Sequence, residues 1–277
     1  MERIIKPLRV KLDFVFKLIF GDQRNIDILA GFLKAVLDIP EDEYERLTVV
    51  DPYVKKENED DKYGIVDVKV HTKSDGVVHV EVQVDPIPEM EERTLYYQSK
   101  MITEQVKTGD DYKEIKRVVS IIITDFDVVC GSDEYFHRFR YRSHHDGREF
   151  TRLSEINTLE LKKLPKIATD DDLWYWTKFI GAENDVEVLE MIAERSPVMK
   201  KAVGVLMELS ADERNRMIAE DREKARRDWA SRLRRAKRDG VLEVARNLLA
   251  MNVPIETILR STGLTADELG NTKITGE

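Results

Sequence analysis

Two runs of strict alternation dominate the pattern of the chain. In residues 64–71, Val66, Val68 and Val70 alternate with Asp67, Lys69 and His71; in residues 77–84, Val78, Val80, Val82 and Val84 alternate with His79, Glu81 and Gln83. Period-two alternation of β-branched residues predicts strands with one buried face. Lys73-Ser74-Asp75-Gly76 between them is turn chemistry. If the valines of both strands share a face, the loop holds an odd number of residues. A three-residue loop, Ser74-Asp75-Gly76 with the glycine left-handed, is of that kind. It sets Lys69 opposite Glu81 and Asp67 opposite Gln83.

Helical periodicity flanks this hairpin. Phe14, Val15, Leu18 and Ile19 form one stripe over residues 12–20, broken at Gly21 and Asp22. Ile26, Leu29, Ala30, Leu33 and Leu37 have core spacing over residues 25–37, and Pro40 ends that helix. Residues 47–53 read as a first strand between charge-dense loops, whose Asp60 and Asp61 read as solvation rather than as ligands. Pro86 and Pro88 stop the second hairpin strand. A helix over residues 90–107 then places Arg93, Tyr97, Met101 and Gln105 on one stripe. Residues 117–126, RVVSIIITDF, read as a fully buried central strand.

Beyond it, Phe136, Phe139 and Tyr141 suggest a strand, while His137, His144 and His145 lack metal-site spacing. Residues 159–164 continue the sheet edge before Pro165. The order predicts an α/β fold with a mixed sheet flanked by helices, followed by an all-helical C-terminal region. Trp174, Trp176 and Phe179 belong to a core; residues 185–194 and 197–209 read as helices, and 210–249 as one long helix. The tail resembles a short helix-turn-helix, with Ile255, Ile258 and Leu259, a turn at Thr262-Gly263, then Leu264 and Leu269. Three regions follow: residues 1–166, a helical extension over 167–209, and the long basic helix with its tail over 210–277.

Composition narrows the function classes. Of 277 residues, 42% are hydrophobic and 36% charged, enough for a sizeable core with an extensively solvated surface. The single cysteine, Cys130, excludes an intramolecular disulfide and fits a reducing compartment. No apolar run is long enough to cross a bilayer, and the first residues lack a signal-peptide core, so a soluble cytoplasmic protein without membrane contact is expected. No phosphate-cradling glycine loop or nucleophile triad appears. The net charge of −9 argues against a protein that coats DNA. Yet nine basic residues between Arg222 and Arg238 stand in the long helix beside only Glu223 and Asp228. Such a run suits a solvated face, a homodimer through the C-terminal helices, or contact with phosphates.

The candidate chemistry lies on the polar positions of the hairpin. Carboxylates brought together there repel each other unless a cation neutralises them, and magnesium accepts a few carboxylates with water and phosphate. The plain alternative is a solvated outer face. Asp13 and Lys17, one helical turn apart, are either a surface ion pair or part of the same site. Asp67 followed by Val80-Glu81-Val82-Gln83 resembles the PD-(D/E)xK nuclease superfamily. Together with Leu12-Asp13-Phe14-Val15-Phe16-Lys17, Phe20-Gly21, Arg93-Thr94-Leu95-Tyr96-Tyr97, Gln105, Gly109, Tyr112 and VVSIIITDF, it resembles the Rpn family of recombination-promoting nucleases, also called transposases. Gln83 stands where the superfamily usually has lysine, as expected of the Rpn branch; Lys69 is a candidate for the missing charge.

The resemblance implies a metal-dependent DNA endonuclease that promotes recombination or transposition. Asp67 and Glu81 would hold Mg2+ or Mn2+, Gln83 would orient water, Asp13 would assist, and Arg93, Tyr97 and Lys69 would meet DNA. The alternative is a non-catalytic nucleic-acid-binding or interaction protein that retains the fold.

Overall fold

The computed structural model describes residues 6–50, 53–54, 64–65, 67–74 and 76–270. The chain forms two units, Met1–Arg216 and Met217–Glu277. The first is built on a six-stranded mixed sheet in the order β1-β4-β5-β6-β8-β7. Its strands are β1 (Thr48–Val50), β4 (Val68–His71), β5 (Val77–Gln83), β6 (Val118–Thr124), β7 (Phe136–Arg140) and β8 (Ser154–Glu160). Strands β5, β6 and β8 run parallel, and β1, β4 and β7 join antiparallel. A separate ribbon pairs β2 (Tyr53–Val54) with β3 (Gly64–Ile65). Strand β8 lies inside the sheet, between β6 and β7, rather than at its edge; the antiparallel return through β7 covers it.

The aliphatic run of β6 is buried at every position, as its unbroken hydrophobicity requires of a central parallel strand. Strand β5 departs from the alternating pattern's expectation. It is buried from Val77 to Val82, including His79 and Glu81. The reason is helix α3 (Met90–Thr103), which covers the polar face. Its Tyr97 and Met101 pack on Val77 and Val118, and its Met90 packs with Ile122 and Phe126. The buried Gln98 of that helix is paired at both ends of its amide: its Nε2 donates to Glu155 O at 2.8 Å, and its Oε1 accepts from Ser154 Oγ at 3.1 Å. The helix stops at Thr103, short of residue 107, and the chain turns through Gly109 at φ 100°, a conformation glycine adopts without strain.

Among the described residues, five more helices complete the first unit: α1 (Asp13–Phe20), α2 (Ile26–Val36), α4 (Asp172–Gly181), α5 (Val186–Arg195) and α6 (Pro197–Ala211). Helix α1 buries Val15, Phe16, Ile19 and Phe20, leaving Leu18 exposed. Helix α2 buries Ile28, Leu29, Phe32, Leu33 and Val36. Both stripes are rotated from the ones the spacing suggested, because an aromatic cluster sets the contact. Trp176 lies 6.0 Å from Phe20, 6.2 Å from Phe32 and 6.1 Å from Phe179 between ring centroids.

The hairpin register also differs. Lys69 faces His79, not Glu81, and Val68 faces Val80. The turn closes with Thr72 N donating to Gly76 O at 2.9 Å, one position earlier than a loop over residues 74–76 would close. The loop still holds an odd number of residues, so the valines share a face, but every cross-strand partner moves by one rung. Asp75 itself lies outside the described residues, as do Val66, Asp60 and Asp61.

In the second unit, α7 (Glu213–Ala250), α8 (Ile255–Thr262) and α9 (Ala266–Gly270) enclose a small core of Ala245, Ile258, Leu264 and Leu269. Gly263, at φ 67°, ends α8 in the left-handed cap. Thr265 and Glu268 form a capping box: Thr265 N donates to Glu268 Oε2 at 2.8 Å and Glu268 N donates to Thr265 Oγ1 at 3.3 Å. Arg238 pairs with Glu268 and ties α7 to α9. Residues 231–240 of α7 are exposed all round.

Candidate active site

Asp67 stands immediately before β4. Its Oδ2 accepts a hydrogen bond from Val82 N at 2.7 Å, which draws the side chain onto β5 between Glu81 and Gln83. Glu81 is 5% exposed, and two guanidinium nitrogens of Arg93, one turn into α3, reach its Oε1 at 3.2 and 3.0 Å. The Arg93 guanidinium stacks over the Tyr97 ring at 4.9 Å, and Tyr97 is itself buried. From the other side, Lys17 Nζ on α1 lies 3.3 Å from Asp67 Oδ1. Asp67, immediately before β4, and Glu81 on β5 are thus each paired with a cation from a different helix, near enough for Glu81 to repel Asp67.

Both pairs lie at the carboxyl end of the parallel strands, where open α/β sheets place their ligand crevices. Gln83 ends β5 there, with its Nε2 donating to Asp85 O at 2.9 Å. Asp125, just past β6, donates its N–H to Gln83 O at 3.1 Å. The Asp125 carboxylate receives buried Lys11 at 3.0 Å, and Lys11 also pairs with Glu183.

Burial pushes the Asp67 carboxyl up to about 6, with repulsion from Glu81 adding to it. The Val82 N–H and the Lys17 ammonium oppose the rise. One rung deeper, His79 is fully buried; burial, with the charge of Lys69, pushes its imidazole down to about 3 and keeps it neutral. Its Nε2 meets Ser120 Oγ, while its Nδ1 has no hydrogen-bond partner among the described residues.

The donor chemistry fits magnesium. Asp67 and Glu81 offer hard oxygens in a desolvated setting, and their mutual repulsion favours a cation between them. Among the described residues, no group of three or more His, Cys, Asp or Glu side chains is placed to hold a metal. Magnesium does not need one, since it keeps several waters and shares substrate phosphate.

The structure therefore brings together Asp67, Glu81, Gln83, Arg93 and Tyr97. Asp13 opens α1 one turn before Lys17. Lys69 stands opposite His79. Sequence reasoning left the Lys17–Asp67 contact unseen, because the turn-spaced Asp13 offered a local partner. The Lys11–Asp125 contact had no signal at all, since only the packing of the segment before α1 on the strand ends creates it.

A mixed sheet with a helix over its acid-bearing face, and an Asp and a Glu from adjacent strands at its carboxyl end, has the layout of a PD-(D/E)XK nuclease domain. Residues 10–236 match the family model of the PD-(D/E)XK nuclease family transposase, and residues 238–272 match the C-terminal HTH domain of the Rpn/YhgA-like nuclease family. The chain belongs to this PD-(D/E)XK nuclease transposase family. Neither the curated proteins nor the solved structures gave a match. Among the described residues, no helix is long and apolar enough to cross a membrane.

Proposed function

We propose that the protein is a metal-dependent DNA endonuclease, with Asp67 and Glu81 as the ligands of one Mg2+ or Mn2+. The observation that carries this reading is the 2.7 Å bond from Val82 N to Asp67 Oδ2, which holds the Asp67 carboxylate on β5 next to the residue that follows Glu81. A divalent ion bound there would activate a water and stabilise charge on the scissile phosphate. Gln83 carries no charge and cannot accept a proton; it orients the water through its amide. Arg93, fixed by Glu81 and Tyr97, lies where a phosphate oxygen can share its remaining N–H donors. Asp13 and Lys69 are lesser candidates, for the metal's outer sphere and for DNA respectively. The second unit supplies affinity: its helix-turn-helix-type fold, together with the exposed basic stretch of α7, suits a polyanion. Like charges on that stretch would oppose its pairing with a second copy, so DNA contact is the better use for it.

Incubation with supercoiled plasmid, with and without Mg2+, tests the reading. Metal-dependent nicking that Asp67→Ala and Glu81→Ala each abolish is the expected result. DNA binding without nicking under Mg2+, Mn2+ or Ca2+ would instead make the protein a binding module that retains the nuclease fold.

A further inference from the structure

We infer that Lys17 is a catalytic residue. It delivers from helix α1 the positive charge that the strand position of Gln83 lacks, and its ammonium contacts the reacting phosphate. The inference rests on the nuclease reading of the same site.

Among the described residues, Arg93, Lys11, Lys69 and Lys17 stand around the two acids or the neighbouring strand ends, and their settings differ. Arg93 is fixed by two nitrogens on Glu81 and by the Tyr97 ring. Lys11 is buried and engaged by both Asp125 and Glu183. Lys69 sits one rung deeper, opposite His79. Lys17 contacts Asp67 Oδ1 at 3.3 Å, and its side chain is 35% exposed.

The base of Lys17 is nonetheless rigid. Val15, Phe16, Ile19 and Phe20 on either side of it are fully buried, and its carbonyl accepts from Gly21 N at 2.8 Å. A fixed Cα with a part-exposed ammonium puts the charge at the solvent side of the site, where a substrate phosphate can meet it.

The occupancy of Asp67 points the same way. Its Oδ2 accepts from Val82 N and its Oδ1 faces the Lys17 ammonium, so Lys17 stands beside the carboxylate that the nuclease reading gives to the divalent ion. Asp67 and Glu81 would hold the divalent ion, and the Lys17 ammonium beside Asp67 would stand within reach of a phosphodiester bound at the same place. The ammonium meets the negative charge of that phosphodiester. There it offsets charge that grows on the phosphate as the bond to the leaving oxygen breaks. The lysine thereby acts across space from a helix, while glutamine keeps the strand position.

The test uses the full chain with Lys17→Gln and Lys17→Arg, each assayed for plasmid nicking at saturating Mg2+. Mn2+ affinity is measured in parallel by calorimetry, and circular dichroism checks the fold. The expected result is that Lys17→Gln lowers the cleavage rate by about 100-fold, the scale of removing one charge that stabilises the transition state. Mn2+ affinity should stay equal or tighten, and Lys17→Arg should recover at least part of the rate. Wild-type rates for Lys17→Gln at saturating metal would overturn the inference and leave Lys17 as a counterion of the metal-free site. Weakened Mn2+ binding with cleavage restored by excess metal would also overturn it, making Lys17 a support for Asp67. Nicking by the wild type that Glu81→Ala abolishes keeps the nuclease reading intact in either case. Absence of nicking by the wild type would remove both.

Discussion

Lys17 Nζ lies 3.3 Å from Asp67 Oδ1, which joins helix α1 to the residue that precedes β4. Helical spacing alone suggests a pairing of Lys17 with Asp13 and gives no sign of this contact. The contact also gives an Asp nine-tenths withdrawn from solvent a counter-charge at the sheet end. Arg93 does the same for Glu81. Both organic cations occupy oxygens that a divalent ion would use, so metal binding, stability and pH response are linked at this one place.

Replacing Asp67 by Asn should abolish cleavage and stabilise the fold. The folded-state pKa of Asp67 is about 6, above its ordinary value of 3.8, so between these pH values the folded protein binds more protons than the unfolded chain. Stability from this group therefore falls as pH rises through that window and stays low above it. Removing the charge should return about 3 kcal/mol at pH 8 and little at pH 4. Urea denaturation of both proteins at the two pH values checks it; equal midpoints at pH 8 would contradict it.

His79 has the opposite sign. Its folded pKa, near 3, lies below the ordinary 6.5, so below pH 6.5 the unfolded chain takes up a proton that the buried imidazole refuses. Stability from this group is full above pH 6.5 and is lost on acidification, by at most about 1.4 kcal/mol per pH unit. His79→Gln should flatten the acid limb of a stability-versus-pH curve while lowering its plateau. An unchanged acid slope would show that His79 is not the group responsible.

Arg93→Ala leaves Glu81 buried without its guanidinium partner. In metal-free buffer the fold should lose about 1–2 kcal/mol, less than for a fully buried pair because Arg93 is part-exposed. Millimolar Mg2+ should recover part of the loss by binding the native state alone. Thermal melts with and without Mg2+ read both effects, and a loss that Mg2+ leaves unaltered would argue against metal binding at Glu81.

Trp176→Ala should destabilise the first unit by about 3–5 kcal/mol, since its indole is the shared neighbour of Phe20, Phe32 and Phe179. Because Phe20 belongs to the helix that carries Lys17, nicking should decline in step with loss of fold and not before it. Parallel circular dichroism and nicking assays over temperature would show this.

In the second unit, Arg232→Ala with Arg234→Ala should weaken DNA binding without regard to sequence. The slope of log affinity against log salt should become shallower by about 0.9 for each phosphate that is no longer neutralised. Fluorescence anisotropy with a short duplex at several NaCl concentrations measures it. An unchanged slope would assign the exposed stretch of α7 to another partner.

The amino-acid sequence by itself determined the elements and the chemistry they carry. Valine alternation marks β4 and β5, unbroken aliphatic residues mark β6, and the helical periods mark α1, α2 and the C-terminal helices, because local propensity and pattern act over a few residues. Asp67, Glu81 and Gln83 were legible as candidates for the same reason: they occupy the polar positions of those strands. Only the tertiary structure decided which residues meet. The turn closing at Thr72 and Gly76 moved Lys69 from Glu81 to His79. Helix α3 turned a face patterned for solvent into a buried one. The fold then brought Lys17 to Asp67 and Lys11 to Asp125. Those contacts join segments far apart in the chain, and their energies come from burial and charge across the folded core, which no local pattern of residues encodes.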